Sequence, residues 1–221
     1  ADPLVGCSAK ENTLYITLRS RGPGAAERVR AATAGIHAAF PAELLTEGFA
    51  GDRLPRVEDV LGAELLARDV SITLAESCTG GGAAWLLTSV PGISQVFSRG
   101  YVTYSDAAKE AVLGVPHALL EEHGAVSGPV VAAMAEGALR AAGAQLALSI
   151  SGVAGPGGGT PAKPVGTIWF GVHWAGRTWS IEHRYPAAWG RERLRAVSRR
   201  MALALGLRAL RGQPLETAAR R

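Results

Sequence analysis

The run SITLAESCTGGGAAWLLTSV, residues 71–90, carries a short apolar stretch into Ser-Cys-Thr and three glycines, and then into residues with helical spacing. A strand that turns at glycines and leads into a helix is half of a β-α-β crossover. Crossovers of this kind require neighbouring strands to run parallel, with helices covering the sheet. The alternation continues downstream. SRGYVTYS reads as a strand and DAAKEAVLG as a helix, with Ser105 as its N-cap and Gly114 just past its end. SGPVVAAMAEGALRAAGA is a further helix opened by Ser-Gly-Pro, and QLALSIS is a buried strand. After the loop GVAGPGGGTPAKPVG, the stretches TIWFGVHW and RTWSIEHRY flank Ala175-Gly176 as a hairpin, and a long last helix begins near Gly190. Together these segments predict an α/β three-layer sandwich: a mixed, largely parallel sheet with helices on both faces.

The N-terminal part has a different character. NTLYITLR, residues 12–19, alternates as a half-buried strand, and GAAERVRAATAGIHAAF follows with helical spacing, giving one small, partial α+β unit. PAELLTEGFAGDRLPR is rich in Gly, Pro and charge and marks a boundary at about residues 45–55, so the expected domains are 1–50 and 51–221. RVEDVLGAELLARDV then opens the larger domain as a helix.

Several function classes are disfavoured by composition. Cys7 and Cys78 lie far apart without a C-x-x-C pairing, which suggests neither a disulfide framework nor a thiolate metal site and fits a reducing cytoplasm. No uninterrupted apolar run is long enough for a membrane helix, and no secretory signal pattern opens the chain. The net charge of +4 sits mostly in Arg184 to Arg221, where arginines recur between Leu194, Val197, Met201 and Leu205. A solvated helix face accounts for that spacing better than a nucleic-acid stripe.

Two readings fit the glycine turn at residues 77–82. It is a tight turn with capping hydroxyls, or it holds the Ser77 hydroxyl above backbone N–H groups able to receive an anion or an oxyanion. Neither a Walker-type phosphate loop nor a G-x-S-x-G elbow is present. A serine nucleophile needs a base, and none of the five histidines offers an obvious one. Lys109, one of only three lysines, falls near the first turn of its helix, where the helix macrodipole favours the neutral amine. Tyr104, at the end of the preceding strand, is placed to relay a proton. An exposed helix lysine and a packing tyrosine are the plainer readings of the same two residues. The second glycine loop, SGVAGPGGG at 151–159, is either a flexible connection or a surface on which backbone approaches a ligand. Arg191 and Arg195 are either solvated or phosphate ligands.

Taken together, TLAESCTGG, GYVTYSDAAKEAVLGV, HGAVSGPVVAAMAEGAL and SISGVAGPGGGTPAKPVGTIWFG, in this order over residues 56–210, resemble the CinA C-terminal family, which includes nicotinamide-nucleotide amidohydrolases. The first fifty residues look like part of the linker domain that precedes this unit in longer CinA proteins. The resemblance implies deamidation of nicotinamide mononucleotide to nicotinate mononucleotide and ammonia, with no metal or other cofactor. Carried over by motif, Ser77 is the nucleophile and Tyr104 and Lys109 its proton-transfer partners. Glu76 and Thr79 support the turn, and Gly80 and Gly81 supply N–H groups. Gly152, Gly155, Gly157 and Gly158 line the nucleotide pocket. Arg191 aligns with a family arginine, although Trp189 and Gly190 replace the residues that usually precede it. A homo-oligomer is expected, with no membrane partner and with nucleic acid disfavoured. The alternative is a non-catalytic nucleotide-binding or protein-interaction module of the kind associated with competence and DNA damage.

Overall fold

The computed structural model describes residues 2–10, 13–41, 45–48 and 54–215. They divide into two compact units, residues 1–56 and 57–221.

In the first unit, strands β1 (Leu4–Lys10) and β2 (Thr13–Arg19) form an antiparallel pair, registered from Leu4 opposite Arg19 to Lys10 opposite Thr13. Helix α1 (Ala25–Ala39) follows. The sequence reading misses β1: all seven of its residues are exposed, so no buried face imposes the alternation by which β2 is recognised. No residue of α1 is buried. Polar contacts hold this unit instead. Arg28 Nε pairs with Asp2 at 2.7 Å, while its two Nη atoms donate to the carbonyls of Pro23 and Arg21 at 3.0 Å each.

The second unit carries a five-stranded sheet in the order β4-β3-β5-β6-β7. Its elements run α2 (Val57–Arg68), β3 (Ile72–Glu76), α3 (Gly82–Thr88), β4 (Gly100–Val102), α4 (Asp106–Leu113), α5 (His117–His123), α6 (Gly128–Ala142), β5 (Leu146–Gly152), β6 (Thr167–Trp174), β7 (Arg177–Arg184) and α7 (Gly190–Leu210). Strand β3 is parallel to both β4 and β5, whereas the β5-β6 and β6-β7 pairs are antiparallel. The expected mixed sandwich is therefore the observed one. Helices α4, α5 and α6 cover one face, and α2, α3 and α7 the other. Helix α5, seven residues with a single buried side chain, is absent from the sequence reading because so short a segment carries little periodicity. Among the described residues, no helix is long and apolar enough to cross a membrane.

The strand alternation assigns each position to a layer. Ala75 packs with Leu113 of α4 and Val130, Met134 and Ala138 of α6, so odd-numbered positions of β3 face that layer. Leu148, paired with Leu74, lies under Gly206 of α7, so even-numbered positions of β3 face the other. Helix α6 can approach β6 only because position 171 is glycine: a Cβ there would meet Ser149 Oγ and the carbonyl of Val131. Ser149 Oγ itself donates to Val131 O at 2.6 Å, fixing the helix to the sheet.

On the α7 side, His183 of β7 sits edge-on to Phe170 and stacks on Tyr185, which in turn stacks on Trp189. Burial, aided by the Arg208 charge, pushes the imidazole below its ordinary value of 6.5. The unfolded chain thus takes up this proton before the folded one does. Stability from His183 is complete above about pH 6.5 and declines as pH falls toward the lower folded value.

Two outcomes follow from this packing. Gly171→Ala overpacks the α6-β6 interface and is expected to cost about 1–3 kcal/mol, seen as a fall in Tm of roughly 2–4 °C per kcal/mol. His183→Phe, which cannot charge, is expected to lose less Tm between pH 7 and pH 5 than the parent protein, as measured by thermal melts across that range.

Candidate active site

The C-terminal ends of β3, β4 and β5 lie together, the usual place for a site in an open sheet with parallel strands. Backbone pairing continues one residue past β3: Ser77 N–H donates to Ile150 O at 2.9 Å, and Thr103 N–H donates to Glu76 O at 2.9 Å. Three segments, at residues 77, 103 and 151, are thereby brought level with one another.

The chain reverses sharply after Ser77. Gly80 and Gly81 have φ of 60° and 88°, in the left-handed region that favours glycine, and Gly80 N–H closes the turn on Ser77 O at 3.0 Å. Glu76 directs the exit. Its buried carboxylate accepts from the N–H groups of Ala83 at 3.0 Å and Ala84 at 2.8 Å, the first turn of α3. The positive end of α3 is thus already matched by an internal carboxylate, and an outside anion there would meet that negative charge. Of the turn's other N–H groups, Gly80 is committed to Ser77 and Gly82 to Thr79 O, whereas those of Thr79 and Gly81 meet no acceptor among the described residues.

Lys109 lies on α4, whose N-terminus is capped as the sequence predicts: Ser105 Oγ accepts from Ala108 N–H at 3.1 Å, and Gly114 closes the far end at φ 65°. Contrary to the plainer reading of an exposed helix lysine, its side chain is only 1% exposed. Lys109 and Leu113 are the buried residues of α4, one turn apart on the same face, and Leu113 packs with Ala75. Four helical residues advance about 6 Å, and two strand residues about 6.6 Å. Lys109 therefore stands to Ser77 roughly as Leu113 stands to Ala75, in the same layer and toward the same end of the sheet. Among the described residues, the amine makes two long contacts, to Ser105 O and to its ion-pair partner Asp106 Oδ1, at 3.4 Å each.

Tyr104 is placed differently. It is 60% exposed, and its phenol oxygen accepts from Arg191 Nη2 at 3.0 Å rather than from Lys109. Arg191 also donates through Nη1 to Gly155 O at 2.8 Å, tying the second glycine loop to Tyr104. Arg195, one turn later, donates to Cys78 O at 3.0 Å and Thr79 O at 2.9 Å. These arginines of α7 thus reach backbone and phenol, while Arg191 and Arg193 remain exposed, as on a solvated helix face. Cation–π contacts to Trp189 and Trp85 engage Arg193 and Arg199 in the same way.

The glycines of the second loop separate into two kinds. A Cβ at Gly152 would strike Ile168, and one at Gly155 would meet Val165 at 2.7 Å, so both serve close packing. Gly157 has open space around it, and Gly158, at φ 82°, borders only Val153.

Thr103 and Ser151 are polar residues of the Lys109 layer that the sequence reading passes over. Thr103 Oγ1 is buried without a hydrogen-bond partner among the described residues, and Ser151 Oγ donates to Ala125 O at 2.7 Å. Their signal was the two-residue alternation in TYS and SIS. Cys78 is not a competing nucleophile: burial pushes its thiol up to about 12, leaving negligible thiolate at neutral pH.

Comparison with known proteins agrees with this architecture. The family model "CinA C-terminal domain" matches residues 55–210. A CinA-like protein of Anaeromyxobacter dehalogenans is 47% identical over 188 residues, covering 85% of this chain and 44% of the relative, so the chain spans less than half of such relatives. The nicotinamide-nucleotide amidohydrolase PncC of Escherichia coli is 53% identical over 117 residues, covering 53% of this chain and 71% of that protein. The crystal structure of a CinA-superfamily protein from Klebsiella pneumoniae superposes with a TM-score of 0.67 at 36% identity, covering 71% of this chain and 96% of the other. With the match running from α2 to the end of α7 and through both glycine loops, this chain belongs to the CinA C-terminal domain family.

Proposed function

We propose that this chain is a nicotinamide-nucleotide amidohydrolase, releasing ammonia from the carboxamide of nicotinamide mononucleotide and leaving nicotinate mononucleotide. The observation that supports this reading is the buried amine of Lys109, on the face of α4 that packs against the layer to which strand alternation assigns Ser77, with no hydrogen-bond partner closer than 3.4 Å among the described residues. The likeness to PncC supplies the substrate class.

In this mechanism the neutral amine of Lys109 takes the Ser77 hydroxyl proton as Oγ bonds to the carboxamide carbon, and the carbonyl electron pair moves onto oxygen. When the tetrahedral intermediate collapses, the C–N bond breaks. The leaving nitrogen receives the proton from the Lys109 ammonium and departs as ammonia. Water then attacks the acyl-serine ester, passing a proton to Lys109. Collapse breaks the ester bond, and the lysine returns that proton to Ser77, leaving the acid product. Tyr104 stands at the mouth of the site. Because Arg191 donates to its oxygen, the phenol proton is directed elsewhere and is available to substrate or to the attacking water.

Ammonia release from nicotinamide mononucleotide tests the reading directly. Ser77→Ala is expected to abolish turnover to below about 10⁻³ of the parent while still binding substrate by calorimetry, and near-normal release would refute the mechanism. Lys109→Met fills the same buried volume without a proton acceptor. It is expected to lower kcat by at least about 10²-fold with a folded, cooperative melt, and retention of full kcat would remove Lys109 as the base.

A further inference from the structure

Arg195 offers a fork of N–H donors to two successive carbonyls of the nucleophile turn. Its Nε reaches Cys78 O at 3.0 Å and its Nη2 reaches Thr79 O at 2.9 Å. A second tie comes from Gly82, whose N–H also donates to Thr79 O at 3.2 Å. A Cβ at Gly80 would lie 3.1 Å from the Arg195 guanidinium, so the turn passes directly against it.

A peptide group is planar and trans, so the carbonyl of one residue and the N–H of the next point in opposite directions. The Cys78 carbonyl faces α7, the helix that carries Arg195. The N–H of Thr79, on the same peptide plane, therefore faces away from α7, toward the layer that holds Lys109 and to which strand alternation assigns Ser77. That N–H has no acceptor among the described residues, and Thr79 is otherwise buried. The next plane behaves consistently: its carbonyl is held by Arg195, and its N–H, that of Gly80, points back to Ser77 O.

Among the described residues, no other donor holds the Cys78 carbonyl in this direction. Without the guanidinium, the 78–79 peptide is free to rotate, and rotation would replace the N–H donor facing the reacting centre with a carbonyl oxygen. An oxyanion would then meet a negative dipole where a positive one is needed.

We propose that Arg195 is a positioning residue that holds the 78–79 peptide so that the Thr79 N–H serves as an oxyanion donor, acting across the sheet end without touching substrate. This rests on Ser77 being the nucleophile, and it assigns the donor to Thr79 in place of Gly80, whose N–H is already used within the turn.

The test uses the full chain and two readouts. The first is steady-state ammonia release from nicotinamide mononucleotide. The second is the rate at which a fluorophosphonate probe labels Ser77, a step in which the O–P bond forms, the P–F bond breaks, fluoride leaves, and the P=O oxygen needs the same donor as a carboxamide oxyanion. Arg195→Met is expected to lower both kcat and labelling rate by about 10²–10³-fold, the usual cost of one oxyanion donor, with KM changed less than threefold. Arg195→Lys keeps the charge but loses the fork, and is expected to fall between the two. If the Met variant does not melt cooperatively, the Lys variant carries the comparison. A loss of less than tenfold in labelling, or a change confined to KM, overturns the assignment. Labelling of Ser77 without turnover of the nucleotide refutes the proposed substrate yet leaves the role of Arg195 decided by the labelling rates. Absence of any Ser77 labelling in the parent protein overturns both.

Discussion

The carboxylate of Glu76 is the constraint around which the site is arranged. It is the last residue of β3, it is buried, and it satisfies the first N–H groups of α3 at Ala83 and Ala84. A buried carboxylate without such donors would be costly, and helix N–H groups buried without an acceptor would also be costly; joining them removes both penalties at once. The link also fixes how many residues lie between strand and helix, and so how sharply residues 77–81 must turn. Two left-handed glycines follow from that sharpness.

A second consequence is a division of labour between the two helical layers. One layer supplies the buried pair of Ser77 and Lys109 and the neutral polar groups around it. The other supplies cations, but these end on backbone carbonyls and a phenol: Arg195 on the first glycine turn, Arg191 on the second loop and Tyr104. The arginines of α7 thus end on backbone and phenol, while the buried Lys109 of the opposite layer has the carboxylate of Asp106 at 3.4 Å.

Much of this was legible in the sequence because local rules were obeyed locally. Ser105 caps α4 and Gly114 ends it, Ala175-Gly176 turns the hairpin with both residues at positive φ, and Pro129 opens α6. The burial of Lys109 was half visible: it shares a face with Leu113 at a spacing of four, but a single apolar partner does not distinguish a core face from a mixed one. What could not be read was any contact between distant segments. Arg195 and Cys78 are 117 residues apart, and arginines repeated along a helix look the same whether they meet water or a carbonyl. Strand β1 failed to register for the opposite reason, since an exposed strand leaves no pattern.

The second glycine loop shows why counting glycines gives only part of a site. Gly152 and Gly155 are required by neighbours, Ile168 and Val165, whose side chains would otherwise be displaced. The base of the loop is also tied to Tyr104: the carbonyl of Gly155 accepts from Arg191, which donates as well to the phenol oxygen. Gly157, where a Cβ would meet nothing, has no packing reason to be glycine, and Gly158 needs its positive φ but is barely in contact. Backbone freedom that packing does not demand is entropically unfavourable in the folded state. The packing demand for glycine in this loop thus sits at its base, at positions 152 and 155, and not at its tip.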